Sequence, residues 1–135
     1  MAIPDLLVAR LKDAARSASE QAYCPYSHFR VGAAVLTEDD EIFSGCNVEN
    51  ASFGLAICAE RNAVFQAKAK GKLRIKAVVI YTPTPHPSAP CGACRQVINE
   101  FGPDAEVIAI CDGLETLRMR LSELMPVAFG PSNLH

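Results

Sequence analysis

The chain has 135 residues, half of them hydrophobic and 21% charged, and its thirteen basic residues against fifteen acidic ones give a net charge of −2. That length suits one domain over residues 1–135, able to hide roughly two-thirds of its unfolded surface, and the composition excludes a disordered or collagen-like chain. The charge balance leaves no electrostatic footprint for nucleic acid or an anionic membrane, and no apolar run approaches the ~20 residues that span a bilayer.

Residues 4–22 carry Leu7, Leu11, Ala14, Ala15, Ala18 and Ala22 at helical spacing, with Pro4 suited to the first turn. Asp5, Arg10, Lys12 and Asp13 interrupt this stretch, so it does not read as a signal peptide, and a cytoplasmic setting is expected. Thiols stay reduced there, so the six cysteines call for an explanation other than disulfides. Tyr23 to Ser27, with Pro25 inside, ends the helix. Residues 30–37 and 41–46 read as a hairpin turned by Glu38-Asp39-Asp40, and residues 57–70 as a second helix stopped by Gly71. Residues 75–81 form a buried-type strand. Four prolines in the next nine positions (Pro83, Pro85, Pro87, Pro90) give a loop with a fixed path. Pro90 is placed to open a helix through Phe101, after which Val107 to Cys111 reads as a strand and Thr116 to Leu121 as an edge strand. The order predicts a three-layer α/β domain with a mixed sheet.

Two segments carry the chemistry, Cys58-Ala59-Glu60-Arg61 and Pro90-Cys91-Gly92-Ala93-Cys94-Arg95. Cys91 and Cys94, three apart in a first helical turn, can share one metal, and a thiolate from Cys58 makes three protein ligands. Three ligands with an open position is the catalytic zinc pattern, whereas four close a structural site. Glu60 fits only if Cys58 sits at the very start of its helix, so that the carboxylate lies beside the metal without binding it, as a proton shuttle would. Three thiolates on Zn²⁺ leave one net negative charge. Two helix N-termini aimed at the site, and Arg61 in preference to Arg95, would offset it. The residues alone leave two other readings open: a redox or structural Cys-x-x-Cys pair, or a zinc knot closed by Cys24, Cys46, Cys111 or a histidine. Cys24, Cys46 and Cys111 otherwise read as small core residues, and His28, His86 and His135 as solvent-facing.

These segments resemble the zinc-dependent nucleoside and nucleotide deaminases in their three-cysteine form. The likeness to the small cytidine deaminases runs further, through Pro25-Tyr26-Ser27-His28-Phe29, Val31-Gly32-Ala33-Ala34, Gly45 to Ala51, Cys91 to Val97 and the Phe129-Gly130-Pro131 tail. It implies a three-layer α/β/α domain around a mixed five-stranded sheet, one Zn²⁺ per subunit on Cys58, Cys91 and Cys94, and hydrolytic deamination of cytidine and 2′-deoxycytidine in pyrimidine salvage. In that chemistry Glu60 takes a proton from an activated water and hands it to N3 of the ring before ammonia leaves. The resemblance also assigns Asn47 and Glu49 to the ribose 3′-hydroxyl, Phe29 and the backbone at Ala59 to the base, and Phe129 to a neighbouring subunit's site in a homotetramer. A carboxylate at Glu49 should favour free nucleosides over nucleotides. Phe53 stands where many members have tyrosine, so an intersubunit bond from that hydroxyl would be absent. A blasticidin-type deaminase shares the cysteine elements but not the Asn47–Ala51 stretch or the tail. A polynucleotide-editing deaminase would need a basic, aromatic groove that this chain lacks.

Overall fold

Residues 3–134 are described by the structure, a computed structural model. The first helix, α1 (Asp5–Ser19), is capped at Pro4 and buries Val8, Leu11, Ala15 and Ser19, one stripe at spacings of three and four. The stripe is rotated slightly from the sequence reading: Val8 is in the core, while Leu7, Ala14 and Ala18 are half-buried. The helix also stops three residues early. The amide of Tyr23 is drawn to the carbonyl of Asn47 (3.0 Å), and Glu49 N returns to Tyr23 O (2.8 Å), so the chain leaves the helix to pair with a distant segment.

Strands β1 (Gly32–Thr37) and β2 (Ile42–Cys46) form the expected antiparallel hairpin, with Asp40 in the left-handed region at its turn. Arg30 and Val31 fall outside the strand expected over 30–37, because Val31 N donates to the side chain of Asn47 (2.9 Å). Helix α2 (Ala59–Ala69), strand β3 (Ile75–Tyr81), helix α3 (Gly92–Phe101), strands β4 (Glu106–Ile110) and β5 (Leu117–Arg120), and the short α4 (Leu121–Leu124) follow. The sheet order is β2-β1-β3-β4-β5, with only β3 and β4 parallel and α3 as their crossover. The sheet is therefore mixed and five-stranded, with β5 at one edge.

Alternation along the strands sorts side chains onto two faces. Ala34, Leu36, Ala77, Val79, Ile108 and Ile110 pack against α1. Ala33, Val35, Val78, Ile80 and Val107 pack under α2 and α3, with Ala63, Val64 and Ile98. This is the three-layer arrangement, and each fully buried Leu or Ile in it contributes roughly 1.5–3 kcal/mol of transfer free energy. Among the described residues no helix is long and apolar enough to cross a membrane. The layer of α2 and α3 sets both helix N-termini beside the carboxyl end of β3, where a parallel strand pair opens a crevice.

Candidate active site

Cys58 is the N-cap of α2 and Cys91 the N-cap of α3, both in extended backbone, and the Cys91 sulfur accepts from Cys94 N (3.5 Å). Each helix thus starts two residues later than its sequence signals indicate. Ile57 is held instead in an antiparallel bridge with Val48 (2.9 and 3.0 Å), and Pro90 lies outside α3, its carbonyl accepting from Arg95 Nε (2.8 Å). The result brings the sulfurs of Cys58, Cys91 and Cys94 within 4.8 Å of one another. That spacing suits one ion held by Zn–S bonds of about 2.3 Å. Among the described residues no further Cys, His, Asp or Glu joins the group. All six cysteines are free thiols; Cys24 and Cys111 are buried as expected, whereas Cys46 is only half-buried. His28 and His86 are exposed, and His135 lies outside the described residues.

The donor set has the charge compensation a three-thiolate site needs. Both helices point their positive ends at it. Arg61 Nη2 donates to Cys58 Sγ (3.4 Å), while its buried Nε has no protein partner. Arg95 is occupied elsewhere, on the carbonyls of Pro90 and Leu124. The thiol of Cys94 and the Arg61 guanidinium hold Cys58 below the ordinary thiol range, and Cys94, whose proton is shared with Cys58 and which is also buried, moves up. Glu60, in the first turn of α2, is only 6% exposed and lies beside Cys94 without being one of the three clustered ligand residues. Burial pushes its carboxyl up from the ordinary range.

Cys58, Ala59 and Glu60 form one wall of a cavity of about 540 Å³, a volume suited to a small-molecule ligand. Ser27, Phe29 and Val31 supply a second wall, Asn47 and Glu49 a third, and Ile80, Thr82, Ser88 and Ala89 the remainder. So Phe29, Asn47, Glu49, Ala59 and Glu60, singled out in the sequence, converge on one space. Phe129 does not reach it. It is 58% exposed, lines a separate hollow with Gly92 and Arg95, and is tied by its carbonyl to Gln96 Nε2 (2.9 Å) and Asn99 Nδ2 (3.3 Å).

Asn47 and Glu49 do more than line the cavity. Asn47 donates from Nδ2 to Phe29 O (2.8 Å) and accepts the Val31 amide on Oδ1. Glu49 Oε1 accepts the amides of Tyr26 (3.1 Å) and Ser27 (3.2 Å), and its Oε2 accepts from Ser27 Oγ. These bonds, that from the Ser27 hydroxyl above all, hold the Glu49 carboxyl below its usual range. The two residues therefore build the 26–31 loop as well as the site. Ile80, Thr82, Ser88 and Ala89 carried no chemical signal in the sequence, and Ser27 entered only as part of the Pro25–Phe29 likeness, with no role of its own.

The model of the "Cytidine and deoxycytidylate deaminase zinc-binding region" matches residues 8–111. A probable cytidine deaminase from Dictyostelium discoideum is 44% identical over 123 residues, covering 90% of this chain and 83% of its own length. A cytidine deaminase from Halalkalibacterium halodurans is 43% identical over 87% of this chain and 90% of itself. The crystal structure of cytidine deaminase from Burkholderia pseudomallei superposes with a TM-score of 0.86 at 47% identity, covering 90% of this chain and 98% of that one.

Proposed function

The chain belongs to the cytidine and deoxycytidylate deaminase family of zinc-binding hydrolases, and from that premise we propose that it hydrolyses cytidine and 2′-deoxycytidine to the corresponding uridines, releasing ammonia, as a step of pyrimidine salvage in the cytoplasm. The observation that carries this reading is the buried Glu60 beside a three-thiol group, at the wall of a nucleoside-sized cavity. Cys58, Cys91 and Cys94 fit one Zn²⁺ per subunit, which when bound supplies Lewis-acid activation of a water.

The rest of the chemistry falls to the chain's own groups. The Glu60 carboxylate takes one proton from the attacking water and delivers it to N3 of the ring, then takes the second from the hydroxyl now on C4 and passes it to the amino group as C4=O forms. A C4–O bond forms, the C4–N bond breaks, and ammonia leaves. Burial suits Glu60 to both roles, because a carboxyl raised toward neutrality can accept and return a proton. Phe29 packs on the pyrimidine, the backbone at Ala59 contacts it, and Asn47 and Glu49 hold the 3′-hydroxyl. A fixed carboxylate at the ribose repels a phosphate, so CMP should be converted far more slowly than cytidine. The proposal includes a homotetramer that shares sites between subunits. It is supported by the exposed Phe129, which lies outside its own protomer's cavity, and by the exposed Phe53, packed edge-on against Tyr26 (5.7 Å).

The direct test is the ultraviolet change on mixing zinc-loaded protein with cytidine, with ammonia measured alongside. Stoichiometric uridine and ammonia are expected. No conversion at a full zinc load would overturn the reading, and turnover of blasticidin alone would replace it.

A further inference from the structure

We infer that Ser27 is a positioning residue that sets the ribose end of the cavity by joining Glu49 and Phe29 into one hydrogen-bonded unit. This rests on the proposed function, since it concerns how a nucleoside is held. The argument is one of valence. An ionised carboxylate offers about four lone-pair positions. The amides of Tyr26 and Ser27 occupy both on Glu49 Oε1, and the Ser27 hydroxyl occupies one on Oε2. Glu49 keeps a single acceptor position, enough for one sugar hydroxyl, and Ser27 decides where it points.

The same hydroxyl has only one proton to give, and it goes to Glu49. Its oxygen is thereby left to accept from Phe29 N (3.1 Å). Between the two residues His28 sits at φ 58°, a left-handed conformation uncommon for a side-chain-bearing residue. The Ser27 hydroxyl closes that turn and aims Phe29 at the cavity, while Asn47 anchors the Phe29 carbonyl from the other side. Ser27 is exposed and belongs to neither hydrophobic cluster. Its bonds therefore serve the shape of the site more than the stability of the fold.

The test uses zinc-loaded Ser27→Ala and Ser27→Thr proteins with cytidine and with 3′-deoxycytidine. Hydrogen bonds to a charged group support an expected rise in KM of about tenfold or more for Ser27→Ala, with kcat within about twofold. Ser27→Thr keeps the hydroxyl and should stay within about threefold of wild type, an effect well below one hydrogen bond. The decisive readout is coupling. Removing the 3′-hydroxyl should raise KM sharply in wild type and much less in Ser27→Ala, because residue and hydroxyl act through the same carboxylate. General loosening of the fold would leave the two effects additive. Additive effects, an unchanged KM, or a Ser27→Thr protein no better than Ser27→Ala would each overturn the inference. If Ser27→Ala does not fold, Ser27→Cys, a weaker hydrogen-bonding group of similar size, takes its place with the same expectation. Wild-type protein inert toward cytidine would instead sink the functional reading and this inference with it, an outcome distinct from an active enzyme whose KM ignores Ser27.

Discussion

Gly45, in β2, lies outside the cavity yet fixes the helix that carries Glu60. A Cβ placed there would come within 2.5 Å of Ala63 N, 2.9 Å of Asn62 C and 3.0 Å of Ala59 O, all backbone atoms of the start of α2. Ordinary carbon contacts begin near 3.5 Å, so Gly45→Ala requires α2 to move off the sheet by about 1 Å. The helix has little room to do so. Ala59 and Ala63 are fully buried, and Asn62 Nδ2 ties α2 to Cys46 O (2.8 Å). Overpacking of this kind costs typically about 1–3 kcal/mol, which for a domain of this size lowers Tm by roughly 4–12 °C.

The functional effect should be larger than the thermal one, because Cys58 and Glu60 ride on the turn that is displaced. A misplacement of about 1 Å can cost on the order of a hundredfold in rate. The assay is kcat for cytidine at a temperature well below the melting transition, with bound zinc measured on the same preparation. A fall of about a hundredfold in kcat is expected, in folded protein with most of its metal retained. If kcat stays within twofold of wild type and Tm does not move, the idea that close β2–α2 contact sets the Glu60 position is wrong.

Other perturbations probe separate parts of the molecule. Glu60→Gln should keep one zinc per chain and lose at least about a hundredfold in kcat, the lower range for a proton-transfer group; metal analysis beside the cytidine assay checks both halves. Arg61→Ala removes the only arginine, among the described residues, that donates to a sulfur of the candidate metal site, and should weaken zinc binding or activity by about 10–100-fold, read by competition with a chelator. An unchanged affinity and rate would leave Arg61 without a role at the metal. Asp39 is held at about 2 by hydrogen bonds from Lys72 and then Thr37. Its folded pKa lies below its unfolded one, so its contribution to stability is present above about pH 4 and disappears as the pH falls toward 2. The stability gap between wild type and Asp39→Asn in urea should therefore close over that window, and be small throughout for so exposed a pair; a gap independent of pH would contradict the ion pair.

The sheet was legible because its signals are local. The run from Ile75 to Tyr81 coincides with β3, and alternation along the strands sorts its side chains onto the two helical layers. The candidate metal site was legible for a similar reason, since Cys91 and Cys94 lie three residues apart at the start of one helix. The bonds that hold the facing wall of the cavity together were not. Asn47 and Glu49 grip a loop about twenty residues away through side-chain to backbone bonds, and no periodicity records such contacts. Residues 20–22 and Ile57 were assigned to helices for the same reason: Tyr23 and Ile57 both pair with the Asn47–Glu49 segment and draw the chain out of helical backbone beside them.

The two misplaced helix starts have a physical cause that bears on function. Ser, Thr, Asp or Asn at an N-cap stabilises a helix by about 1 kcal/mol over a poor cap. Neither α2 nor α3 has one. Cysteine occupies both caps, with no side-chain bond to the helix backbone at Cys58 and only a weak sulfur acceptor at Cys91. With no such cap to mark where they begin, the helices were read from Ile57, in the Ala-rich run, and from Pro90, whose ring suits a first turn. A protein sets aside a favourable local choice where another requirement outweighs it. Here that requirement is to hold a thiolate at the positive end of each helix, where the helix dipole and a metal ion both reward negative charge. The boundary errors thus fall on two of the three ligand positions, and a cap that breaks the usual preference is itself a mark of the site.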